Sequence, residues 1–135
     1  MLKIKLYAVC LVLMAALPLA LRAAPVPADD DFFIHLHAPR AMANVTISAV
    51  HAGVVQISIQ LENAEELPLK AESVLVTLGN PDKGIAPVTT QAQRNADDQW
   101  SVKMAASEAG RWNLGLGITL APANTVNIAS PILIY

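Results

Sequence analysis

Beyond residue 42, apolar and polar residues alternate along much of the chain, which is the pattern of half-buried β-strands rather than of helices. The alternation is complete in residues 55–61, where Val, Ile, Ile and Leu are separated by Gln, Ser and Gln. It recurs in three further stretches and, more weakly, in three others: 74–78, 100–104, 112–118, 43–50, 88–94 and 126–134. The sequence therefore predicts about seven strands.

Turn-forming residues separate these stretches. Gly, Pro, Asn, Asp and other small residues predict turns at 51–53, 80–84, 95–98 and 121–124. In the second of these turns, Pro81 restricts one φ angle and Gly84 can take a positive one. Residues 62–69 are the one stretch with a helical alternative, but Pro68 interrupts it, so a loop is predicted there. Short strands at this spacing predict an all-β fold, namely an immunoglobulin-like β-sandwich.

The N-terminus has the three parts of a secretory signal peptide. Lys3 and Lys5 precede an apolar run over residues 6–17, and small alanines follow the run. The run is short for a bilayer span, which needs about 20 residues. An uncleaved N-terminal membrane anchor over residues 4–21 stays open as the alternative.

The cleavage site decides where the mature protein begins. Cleavage after Ala28 is predicted, whereas cleavage after Ala24 would leave Pro25 as the first mature residue, which signal peptidase tolerates poorly. The chain is accordingly divided into three parts: a signal peptide at 1–28, an N-terminal segment at 29–42 and a β-sandwich domain at 43–135.

Removal of the signal peptide changes what the composition implies. Cys10, the single cysteine, lies inside the apolar run, so the mature chain would contain no cysteine and no disulfide. Lys and Arg would fall from 9 to 6 against 11 Asp and Glu, so the formal net charge would move from −2 to −5. A small acidic domain is a poor candidate for binding nucleic acid or anionic lipid and is compatible with cations. No membrane span is expected after cleavage.

The sharpest chemical feature is a pair of histidines, His35 and His37, shortly after three aspartates at 29–31. In an extended segment, side chains two residues apart point to the same side. Two imidazoles on one side can share a copper or zinc ion, and the thioether of Met42 would add a soft ligand that suits Cu(I). Met42 lies between two alanines, which predicts an accessible sulfur, whereas Met104 falls on the apolar side of a strand and is predicted to be core. The alternative is that the histidines form only the polar face of a strand.

Catalysis finds little support in the sequence. The serines occur singly, without a nucleophile elbow, and no glycine-rich phosphate loop is present. The acidic pairs at 65–66 and 97–98 lie in predicted loops, where solvation accounts for them. The sequence therefore predicts a protein that is not an enzyme and has no catalytic residues.

Six short motifs, in order over almost the whole mature chain, carry a family resemblance: HLH at 35–37, AMANV at 41–45, PLKA at 68–71, NPDKGIAP at 80–87, DQW at 98–100 and GRW at 110–112. They resemble YtkA-like domains, relatives of the CopC-type sandwiches of bacterial copper-resistance and copper-transport proteins, in particular the domain appended to some CopC/CopD-type transporters. The resemblance implies a periplasmic copper-handling module with His35, His37 and Met42 as ligands. The chain departs from these relatives at 114–117 and 121–122, where they are richer in acidic and aromatic residues.

Two functions are therefore expected as alternatives. In the first, a periplasmic domain binds copper and buffers it or passes it to a membrane copper transporter. In the second, a metal-free exported module docks on a membrane permease or another periplasmic partner, because an open strand edge can accept a strand from a partner.

Overall fold

The computed structural model describes residues 31–48 and 50–135. The predicted signal peptide, its cleavage sites and the alternative membrane anchor lie outside these residues. Nine strands and one short 3-10 turn (Pro81–Lys83) make up most of the described chain: β1 (Phe32–Ala38), β2 (Ala41–Ser48), β3 (Gly53–Glu62), β4 (Ser73–Asn80), β5 (Ile85–Gln91), β6 (Gln93–Ala96), β7 (Gln99–Ala106), β8 (Gly110–Ala121) and β9 (Asn124–Ile134). Within this part of the chain, no helix is long and apolar enough to cross a membrane.

The strands form two sheets that pack face to face. One sheet has five strands in the order β1-β2-β3-β7-β6, and the other has four in the order β5-β4-β8-β9. All neighbouring strands run antiparallel. The expectation of an all-β sandwich is confirmed.

One hydrophobic core lies between the two sheets, and every second residue of the central strands points into it. The largest fully buried side chains come from both sheets: Val45, Ile47, Val55, Ile57, Ile59, Leu61, Leu78, Trp112, Leu114, Leu116, Ile118 and Ile134. Full burial of one such aliphatic side chain contributes about 1.5–3 kcal/mol. Met104 is also part of this core, as predicted. Because residues 31–135 contain no cysteine, apolar burial holds these sheets together without a disulfide.

The turn after β4 has the geometry that its sequence predicts. Pro81 opens the 3-10 turn, and Gly84 ends it with a φ of +69°. The side-chain oxygen of Asn80 accepts a hydrogen bond from the backbone N–H of Lys83 at 3.1 Å. The loop predicted at 62–69 is also found, since no helix forms there.

The structure contains two more strands than the sequence predicted. The predicted strand at 88–94 is divided at Ala92 into β5, which belongs to the four-stranded sheet, and β6, which belongs to the five-stranded sheet. The side chain of Ala92 is buried, and its N–H donates to the carbonyl of Val74 at 2.8 Å. The other additional strand is β1, in which three consecutive apolar residues at 32–34 interrupt the alternation.

The described part of the predicted N-terminal segment, residues 31–42, is continuous with the sandwich. The sequence predicts residues 29–42 as a segment before a domain that begins at residue 43. In the structure, β1 pairs with β2 along its whole length, from the pair Phe32–Ile47 to the pair Ala38–Ala41. The histidine pair therefore lies on a strand of the sheet and not on a free end.

Candidate metal site

His35 and His37 lie on the outer face of β1, away from the core. On this strand Leu36 is buried, and Phe32 and Ile34 pack against the core. The alternate side chains therefore point outward. Both histidines are exposed, and their ring centroids are 4.3 Å apart with the ring planes at 84°. The expectation that the two imidazoles share one side of an extended segment is confirmed.

Met42 lies on the same outer face, on the neighbouring strand. It is opposite His37 in the register of β1 with β2, and opposite Glu62 in the register of β2 with β3. Its chain neighbours Ala41 and Ala43 point into the core. The fold thus brings all three candidate ligands to one patch of the five-stranded sheet.

The exposure of Met42 differs from the sequence-based expectation. Only 7% of the residue is exposed, whereas flanking alanines had suggested an accessible sulfur. The alanines cannot open access because they lie on the opposite face of the strand. On its own face, Met42 stands between His37 and Glu62, whose side chains flank it across both neighbouring strands.

Asn44 is a functional candidate that was not predicted from the sequence. It lies opposite His35 in the strand register, and its side-chain oxygen is hydrogen-bonded to Nδ1 of His35. On its other side Asn44 is opposite Gln60 of β3, which in turn is opposite Gln99 of β7. The sequence signals for this residue were its polar position within the weakly alternating stretch 43–50 and its place in the motif AMANV at 41–45.

Arg40 connects the β1–β2 hairpin, on which the candidate ligands lie, to the four-stranded sheet. Its guanidinium donates hydrogen bonds to the side-chain oxygen of Asn124 and, at 3.3 Å, to the backbone oxygen of Thr125. Both acceptors lie at the start of β9. The turn next to Met42 and His37 is thereby joined to the end of the four-stranded sheet.

Among the described residues, neither Asp31 nor His51 joins this patch. Asp31 is half-buried just before β1, and the aspartates at 29 and 30 lie outside the described residues. His51 lies just before Gly53, the first residue of β3, whereas Glu62, the last residue of β3, lies beside the site. The strand between these two ends is about 30 Å long at about 3.3 Å per residue, so His51 is far from the site. Among the residues described, no three His, Cys, Asp or Glu side chains are grouped so that they could hold a metal; the candidate set instead combines two histidines with a methionine.

A second surface feature lies on the outer face of the four-stranded sheet. It is a shallow, mostly apolar depression of about 270 Å³, and small residues, Gly79, Gly115 and Ala129, contribute to its lining. Thr77 and Pro87 also line it. A Cβ atom at Gly79 would come within 3.0 Å of the Cα of Pro87, so the two strands approach each other closely here.

Comparisons of this chain with protein families, with curated proteins and with solved structures found no match. The resemblance to YtkA-like and CopC-type domains therefore stays a prediction that depends on the six sequence motifs.

Proposed function

We propose that this protein is an exported, periplasmic copper-handling domain that binds copper through His35, His37 and Met42. The bound copper is buffered or passed to a membrane copper transporter. The observation that carries the proposal is the pair of exposed imidazoles with ring centroids 4.3 Å apart, beside a methionine on the adjacent strand.

The spacing of the two rings suits a shared metal ion. A metal bonded to imidazole nitrogen at about 2.0 Å lies about 3 Å from the ring centre, so two ligands have ring centres about 4.5 Å apart at an angle of about 90° and about 5 Å apart at the tetrahedral angle. The observed separation of 4.3 Å is close to the smaller of these values. Binding of one ion by both histidines requires that a nitrogen of each ring turn toward it.

The donor types support copper as the metal. Imidazole suits copper and zinc, whereas a thioether favours Cu(I) over the harder divalent ions. The imidazoles are exposed and Met42 is packed within the sheet surface. A metal held at such a site is open to solvent on one side, which suits exchange with a partner more than permanent retention.

The direct test is a copper titration of the purified mature protein in both oxidation states, with a chromophoric chelator as competitor. We expect the double variant with His35→Ala and His37→Ala to lose copper binding and to keep the circular dichroism spectrum of the wild type. His51→Ala is the matched control, because this exposed histidine lies at the far end of β3. An unchanged copper affinity in the double variant would end the proposal.

The second candidate is a metal-free interaction module. It is favoured by the apolar depression on the four-stranded sheet, beside which Leu75 is 43% exposed on the same outer face. This function predicts that protein isolated from the periplasm contains no copper and that it co-purifies with a membrane component. It also predicts that Leu75→Asp abolishes this association, whereas the two-histidine variant retains it.

A further inference from the structure

We infer that Asn44 is a positioning residue that selects Nε2 of His35 as the atom that binds the metal. The inference deepens the proposed function and rests on it. It concerns which nitrogen of one ligand faces the ion and what holds it there.

The first step is the position of Asn44. It lies directly opposite His35 in the register of β1 with β2. It also lies on the outer face, since Ala43 and Val45 on either side of it are buried in the core. In antiparallel strands such opposed side chains have Cβ atoms about 4.5–5.5 Å apart. The amide therefore reaches the imidazole without any long-range rearrangement.

The second step is the direction of the hydrogen bond. The bond joins Nδ1 of His35 to the side-chain oxygen of Asn44. With the amide of Asn44 assigned so that its oxygen faces Nδ1, and because an amide oxygen only accepts hydrogen bonds, Nδ1 carries the proton and donates it. In the neutral imidazole the lone pair is then on Nε2, which is the nitrogen available to a metal.

The third step is the consequence for metal binding. Histidine ligands usually donate their other ring N–H to a carboxylate, a carbonyl oxygen or water, and this bond fixes both the tautomer and the ring orientation. Asn44 supplies a neutral acceptor of this kind. His37 faces Met42 instead of an amide in the same register, so the two imidazoles of the pair are held in different ways.

The tautomer can be measured without any metal. Long-range proton–nitrogen NMR correlations on the metal-free protein, with the histidines neutral, should show a protonated Nδ1 and an unprotonated Nε2 for His35. Asn44→Ala and Asn44→Val should shift His35 toward protonation at Nε2, whereas Asn44→Asp retains an acceptor and should keep the wild-type tautomer. Valine is included because it suits a strand but cannot accept a hydrogen bond. Gln60→Ala, one strand farther from His35, should leave the tautomer unchanged.

The copper titration supplies the second readout. Loss of the acceptor should weaken copper binding by about 10–100-fold, the usual effect of removing such an outer partner, while Asn44→Asp should bind at least as tightly as the wild type. A wild-type protein that binds copper but has Nε2 protonated would overturn this inference alone, and so would Ala and Val variants with unchanged tautomer and affinity. A wild-type protein with the expected tautomer but no copper binding would instead remove the proposed function, and with it the metal-directing role of Asn44.

Discussion

The two tryptophans offer a matched pair of substitutions, because both are buried but their indole N–H groups differ in their partners. Nε1 of Trp112 donates to the backbone oxygen of Glu108 at 2.8 Å. Nε1 of Trp100 is buried and has no acceptor within the part of the chain that the structure describes. The guanidinium of Arg94 lies 5.0 Å from the centre of the Trp100 ring. Replacement by phenylalanine removes a hydrogen-bonded N–H at Trp112 and an unpaired N–H at Trp100.

The expected free-energy changes follow from these contacts. Each replacement loses a similar transfer free energy and leaves a similar cavity of roughly 40 Å³, whose cavity term adds about 1 kcal/mol. These two contributions cancel when the variants are compared. Trp112→Phe also loses a hydrogen bond worth about 1 kcal/mol. Trp100→Phe removes an unpaired buried N–H that costs about 1–3 kcal/mol and weakens a cation–π contact worth about 0.5–1 kcal/mol. Trp112→Phe should therefore be less stable than Trp100→Phe by about 2 kcal/mol, or roughly 30-fold in the unfolding equilibrium constant.

Urea denaturation monitored by far-UV circular dichroism measures this difference. Each variant keeps one tryptophan, so fluorescence supplies a second probe, and coincident transitions would support two-state unfolding. The comparison also requires similar m-values, which show that the unfolded states are alike. The reasoning is refuted if Trp100→Phe destabilises the protein as much as Trp112→Phe does.

Two further matched pairs test the surfaces of the two sheets. Gly79→Ala should lower the free energy of unfolding by about 1–3 kcal/mol, because the added Cβ would lie 3.0 Å from the Cα of Pro87. Gly117→Ala should lower it far less, because a Cβ there has its nearest neighbour at 3.6 Å. Equal urea midpoints for the two variants would contradict this. Met42→Leu should keep stability within about 1.5 kcal/mol and weaken Cu(I) binding. Met104→Leu, a change in the core, should leave copper affinity unchanged, and a loss of affinity in both variants or in neither would argue against Met42 as a ligand.

The strands that the sequence predicted most clearly are those that are half-buried. The perfect alternation at 55–61 corresponds to β3, Gly53–Glu62, and the alternation at 112–118 lies within β8, Gly110–Ala121. These strands lie inside the sheets, with one face on the core and the other facing outward. A period of two is the direct consequence of that environment.

The pattern could not show where a strand leaves its sheet. Residues 88–94 read as one strand because alternation is the same whether the chain continues straight or crosses to the opposite sheet. The crossing at Ala92 depends on contacts with residues distant in sequence, such as the bond from its N–H to Val74. The membership of β1 in the sheet likewise depends on its pairing with β2.

Part of the candidate site could be predicted from the sequence, and part depends on strand pairing. The sequence by itself determined that His35 and His37 share a side, because that follows from the two-residue period of any extended chain. It did not determine that Met42 stands opposite His37 or that Asn44 is hydrogen-bonded to His35. Both facts depend on the register between two strands, and a shift of one residue would move every side chain to the other face. Burial of Ala41, Ala43 and alternate residues of β2 in the core selects the register, so only the tertiary structure decided which side chains surround the histidine pair.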